Sequence, residues 1–163
     1  MEGNPIYDKG GQFGTVEAKV KAIVKSLGVG ISYQFCNWAQ ANVELDKVET
    51  PTIVYVLPAS GKLHFTWREV LDKPNAQIAF IAPTDFDFDA EENDCIVEEM
   101  KRLCIRFIKK LNNSGYFEEL EGDLDYQVLY DHLDVNVTGI VISPILKELQ
   151  GVNLCDEPGR IEK

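Results

Sequence analysis

The residues best placed to do chemistry are three aspartates that alternate with phenylalanines, Asp85-Phe-Asp-Phe-Asp89. Asp85, Asp87 and Asp89 have the one-three-five spacing of a calcium loop, which binds a hard cation through carboxylate oxygens. That loop also needs Gly at its sixth position and a bidentate Glu at its twelfth. Here those positions are Ala90 and Ile96, and the segment leaves an apolar run rather than a helix. A standard calcium loop is therefore excluded. Looser Mg²⁺ or Ca²⁺ coordination by the trio, as in a metal-dependent enzyme, stays open as one alternative. The simpler reading turns Phe86 and Phe88 inward while the aspartates face water. Asp89, Glu91, Glu92 and Asp94 then supply the cap and first-turn charge of a helix.

Other routes to chemistry fail on pattern. General acid–base work needs a group tuned toward neutral pH, most often a His or a buried carboxylate. The two histidines are His64, within a strand-like run, and His132, at a turn. Neither lies near a Ser or Cys in a nucleophile pattern. Ser60-Gly-Lys62 has the end of a phosphate loop without its upstream Gly. The four cysteines, Cys36, Cys95, Cys104 and Cys155, are too widely spaced for metal ligation, and read as reduced thiols in a reducing compartment. No catalytic residue, cofactor site or metal ligand is assigned, and the expectation is a protein that is not an enzyme.

The acidic turn depends on the elements around it. Asn75 to Ala82, closed by Pro83, is an apolar run of strand length. After the turn, Ile96, Val97, Met100, Leu103, Cys104, Phe107, Ile108 and Leu111 recur at helical spacing, for about four turns. Lys101, Arg102, Arg106, Lys109 and Lys110 follow the acids, and Asn113-Ser-Gly115 ends the run. Acids first and bases last is the order the helix dipole favours, and a Gly suits the position past the last turn.

Upstream, residues 1–14 hold four Gly, a Pro and an Asn without periodicity, and read as a flexible arm. It is either a frayed terminus or an arm that orders against a neighbouring subunit, with Ile6, Tyr7 and Phe13 as anchors. Thr15 caps a first helix whose Val16, Val20, Ile23, Val24 and Leu27 share one face, with Glu17, Lys19, Lys21 and Lys25 directed away from it. The aromatic run from Ile31 to Asn42 is either a strand edge or an irregular connection. Its Tyr33, Phe35 and Trp38 fit core and rim better than a base-stacking platform, since no basic residue interleaves them.

Thr52 to Leu57 is a firm strand between Pro51 and Pro58, and Leu63 to Arg68 reads as its hairpin partner, with Val70 to Pro74 as a loop. Tyr116 to Leu120 is a possible strand. Tyr126 to Tyr130 pairs with Asp134 to Ile142 across the turn Asp131-His-Leu133. In that last strand one half is polar and one apolar, and Gly139 marks a bulge or a close backbone approach. The fold class expected is α+β, a mostly antiparallel sheet of about five or six strands with two main helices packed on one face. Residues 15–151 form one domain, between the arm and a polar tail at 152–163.

The net charge of −11 over 163 residues opposes free-standing binding to nucleic acid, which needs Lys and Arg to displace counterions. It also opposes docking on an anionic membrane. No apolar run approaches the roughly 18 residues of a membrane span. The N-terminal Met-Glu-Gly-Asn-Pro-Ile lacks the features of a secretory signal.

The element order, with the segments Asp85-Phe-Asp-Phe-Asp and Asp134-Val-Asn-Val-Thr-Gly-Ile, resembles small virion proteins of tailed bacteriophages and prophages of gut Bacteroidales, crAss-like phages included. Those are head–tail joining, neck and tail-terminator proteins. The resemblance covers residues 15 to 150 in layout, and its motifs are structural, so no catalytic residue carries over. It implies a homo-oligomeric ring, hexameric or dodecameric, around the channel through which DNA passes, in contact with neighbouring head, neck or tail proteins. The chain would reside in the virion after assembly in the host cytoplasm. An acidic wall suits a conduit that repels DNA rather than binding it, and head-to-tail contacts use two different surfaces. The alternative is a small cytoplasmic binding module that meets a basic protein partner through the acidic patches at residues 85–94 and 118–134.

Overall fold

The structure, a computed structural model, describes residues 14–37, 50–84, 89–132 and 137–153. In chain order the elements are α1 (Val16–Lys25), β1 (Ser32–Cys36), β2 (Thr52–Val56), β3 (Gly61–Phe65), β4 (Glu69–Pro74), β5 (Gln77–Pro83), α2 (Ala90–Asn113), β6 (Tyr126–His132), β7 (Val137–Ile142) and β8 (Val152–Asn153).

Three of these strands are apolar almost without interruption, as a strand must be when both its faces are covered. All five residues of β2 and all six of β7 are buried, and so is Ile78–Ile81 of β5. They form the middle of a five-stranded sheet ordered β1-β2-β5-β7-β6, in which only the β1–β2 pairing is parallel. Ile53, Tyr55, Ile78, Phe80, Ile140 and Ile142 face α1 and α2, while Val54, Val56, Ala79, Ile81, Val137 and Val141 form a second buried cluster on the other face. The fold is thus α+β, mostly antiparallel, with both helices on one face. The expected polar half of the last strand does not hold for Val137–Ile142. Thr138 is buried and gives its hydroxyl to Asn93 Oδ1 at 3.1 Å.

Gly139 is a close approach, and the β6–β7 register shifts beside it, between Leu129 and His132 of β6. A Cβ on Gly139 would lie 1.9 Å from the carbonyl oxygen of Phe80 across the β5–β7 ladder.

Both helices start and stop as their sequences dictate. Thr15 Oγ1 accepts from the Ala18 amide at 3.2 Å. Asp89 and Glu92 form a reciprocal capping box, with both bonds at 2.9 Å. Past the end of α2, Gly115 takes a φ of 75°. The α2 stripe is buried at Val97, Met100, Leu103, Cys104, Phe107 and Leu111, with Phe107 edge-on to Phe80, ring centres 5.5 Å apart. One expectation for α1 is corrected: Lys19 is not on the solvent face but 1 % exposed, inside the stripe.

The hairpin reading is corrected too. β2 pairs with β1 and β5, not with the following strand. A run apolar on both faces belongs at the centre of a sheet, and two neighbours already flank it. The hairpin partner of β3 is β4, the segment expected to be a loop, and β8 adds to β4 to make a separate three-stranded sheet. Its turn is Thr66–Glu69, where the Thr66 hydroxyl accepts from the Glu69 and Arg68 amides, so Thr66-Trp-Arg68 is not strand. Tyr116 to Leu120 contributes one isolated bridge, Phe117 to Glu148, rather than a strand. Val152 and Asn153 lie in β8. The turn expected at Asp131–Leu133 is strand through His132.

Candidate functional site

The structure disperses the residues singled out for chemistry. Asp89 is the N-cap of α2 and Glu92 its capping partner, while Glu91 is exposed in the first turn. Ile6, Tyr7, Phe13, Asp85 and Asp87 lie outside the described residues, as do Trp38, Phe86, Phe88 and Cys155. Among the described residues no group of three or more His, Cys, Asp or Glu side chains could hold a metal ion. No helix is long and apolar enough to cross a membrane. The Cys104 thiol is pushed up to about 11 by burial, which keeps it protonated and a poor nucleophile at neutral pH.

The most unusual buried group was not legible as such. Lys19 Nζ donates to Glu148 Oε2 at 2.5 Å and to the Gln150 carbonyl at 2.9 Å. Glu148 is 6 % exposed and uses its other oxygen to accept the Asp72 amide at 2.8 Å. One ion pair therefore ties α1 to the segment after β7 and to β4. Asp72 also lines an open pocket of about 470 Å³, together with Glu17, Phe35, Tyr55 and Leu63. Burial raises the Tyr55 phenol and, with Glu17 as hydrogen-bond acceptor at 3.0 Å, the Tyr33 phenol. Burial also raises the Asp72 carboxyl, against the Lys73 amide and the Lys19 charge. Both phenols stay protonated, and Tyr33 donates to Glu17, so neither is a base near neutral pH. The cluster fixes structure.

A different kind of surface lies on the three-stranded sheet. Every residue of β3 is exposed. Its register with β4 and β8 puts Leu63, Phe65, Val70 and Val152 on one face. Leu63 is 61 % exposed, Phe65 68 % and Val152 55 %, and Trp67 at the turn is 83 % exposed under the Arg68 guanidinium, 5.0 Å from its ring centre. Among the described residues nothing covers these side chains. Exposed apolar side chains grouped in this way are a feature that binding surfaces share. The arm formed by β3 and its turn carries Lys62 and Arg68 and no acid from Gly61 to Arg68, while β4 brings Glu69 and Asp72, the latter opposite Leu63.

At the opposite edge of the large sheet, a groove of about 670 Å³ runs along the connection from α2 into β6. Its rim carries Glu118, Glu119, Glu121, Asp123 and Asp125, and its floor includes Ile108, Leu120 and Leu124. A drier trough of about 350 Å³ adjoins it, sharing Ile108 and Leu124 and adding Ile105 and Tyr126. Tyr126 and Val128 are exposed on the side of β6 that faces α2. Among the described residues β6 pairs only with β7, so its outer backbone edge is unfilled. The groove falls inside the acidic patch expected at 118–134. The arm had no signal beyond its alternation, which read as a hairpin partner for Thr52 to Leu57.

Comparison with family models, with curated proteins and with solved structures finds no match.

Proposed function

We propose that this chain is a structural virion protein of a tailed phage. It forms a ring at the head–tail junction or at the tail end, as a tail terminator, neck or connector protein, around the channel that DNA traverses. The observation that carries this reading is the uncovered apolar face Leu63, Phe65 and Val152 with Trp67 beside it. It belongs to a subunit whose remaining surface comes from assembly. The net charge of −11 fits a conduit that repels DNA instead of gripping it. The phage assignment itself rests on the layout of residues 15–150. Neighbouring head, neck or tail proteins would contact the ring above and below, and no step of the role needs catalysis.

The test is the mass in solution by light scattering across concentration, alone and with a candidate neighbouring virion protein. A closed hexamer or dodecamer is expected in one of the two conditions. A strict monomer in both would overturn the ring. The groove rimmed by Glu118 to Asp125 favours a second reading, a binding module for a basic protein, which a monomer captured by such a partner would support.

A further inference from the structure

The two uncovered surfaces are complementary. The arm is apolar and basic, with Leu63, Phe65 and Trp67 flanked by Lys62 and Arg68. The groove is apolar-floored and mostly acid-rimmed, with Lys147 beside Glu118, while Lys101 and Lys109 edge the adjoining trough. Each also carries an unfilled strand edge, the outer side of β3 and the outer side of β6, among the described residues. Their side chains alternate in step: Leu63 and Phe65 share one face of β3, and Tyr126 and Val128 share one face of β6. A strand laid against such an edge gains main-chain hydrogen bonds, and apolar cross-strand pairs add side-chain contact.

Building on the ring reading, we infer that the β3 arm of one copy docks on the β6 edge and acidic groove of the next copy. β3 extends the five-stranded sheet of its neighbour. Leu63 and Phe65 lie beside Tyr126 and Val128, on the side where Ile105 and Leu124 leave a trough. Lys62 and Arg68 meet the rim acids. Opposite charges at the rim set register and speed encounter more than they add affinity. Because the arm and the groove are different surfaces, the contact is head-to-tail, and repeating it closes a ring if the rotation allows.

The experiment uses the full chain and two sets of charge-reversed variants, with sedimentation velocity as the readout. One set is K62E with R68E in the arm, the other E121K with D123K in the groove. All these positions are exposed, so each variant should keep the wild-type denaturation midpoint. The wild type should self-associate, and each variant alone should sediment as a monomer. The four-fold variant, reversed on both sides, should regain association. As a check that does not depend on charge, W67A with F65A should also be monomeric. Association unchanged in the arm and groove variants would overturn this interface and leave the ring reading standing on other surfaces. A wild type that stays monomeric alone and with a neighbouring virion protein would overturn both.

Discussion

The five-stranded and three-stranded sheets differ in what they do with their apolar side chains. In β2 and β7 every residue is buried, and the two faces feed two separate clusters. In β3 every residue is exposed, although Leu63 and Phe65 are as apolar as anything in the core. Burying a large side chain contributes about 1.5–3 kcal/mol, so the first sheet holds the domain together. The second sheet leaves that gain unrealised within one copy. The difference separates residues that specify the fold from residues available for contact with another chain.

Substitutions on either side of that line should behave accordingly. Phe107 is fully buried against Phe80, and Phe107→Ala should cost about 3–5 kcal/mol in a denaturant titration. Lys19→Met should cost a similar ~3–5 kcal/mol, since it strands the Glu148 carboxylate without its partner. Pairing it with Glu148→Leu should recover most of the loss, and a double variant as weak as the single would show that the cavity, not the charge, sets the cost. Gly139→Ala would put a Cβ 1.9 Å from the Phe80 carbonyl oxygen and so must push β5 from β7, and should fall at the upper end of about 1–3 kcal/mol, or beyond it. Trp67→Ala should shift stability by less than about 0.5 kcal/mol, as exposed positions usually do. A large loss there would mean the arm packs within its own copy, and the contrast would collapse. The smallest effect is chemical. In a Cys155→Ser background Cys95, which is exposed, should react with a thiol reagent in the native state, and Cys104 only after unfolding.

What the sequence made legible follows physical range. Helix signals are local: Thr15 sits three residues from Ala18 and Asp89 three from Glu92, so caps and stripes could be read directly. Two of the central strands, β2 and β5, were legible because an unbroken apolar run has few other uses, whereas β7 read as half polar. Pairing was harder, because alternation in Leu63 to Arg68 states that a strand has two unlike faces and not which strand it meets. The turn signal there was a Thr hydroxyl at Thr66, easily passed over inside an apparently continuous strand. Lys19 did sit at the helical spacing of the stripe, three after Val16 and four before Ile23. Its charge argued for solvent, and the acid that reverses that argument is 129 residues away. As for the site, the acidic patch at 118–134 was visible as composition, whereas its apolar floor needed α2 and β6 placed side by side.

That long reach between Lys19 and Glu148 also bears on how the protein is made. Lys19 leaves the ribosome early, and the carboxylate that neutralises it is added 129 residues later, close to the end of the described chain. Until then α1 has an ammonium on the stripe that must bury, which holds the helix back from sealing onto the sheet. The docking of α1, the fastening of β4 through the Asp72 amide and the seating of the segment after β7 are therefore coupled through one ion pair. A translation product that stops before Glu148 lacks both the carboxylate for Lys19 and the acceptor for the Asp72 amide, and should be cleaved by added protease faster than the full chain.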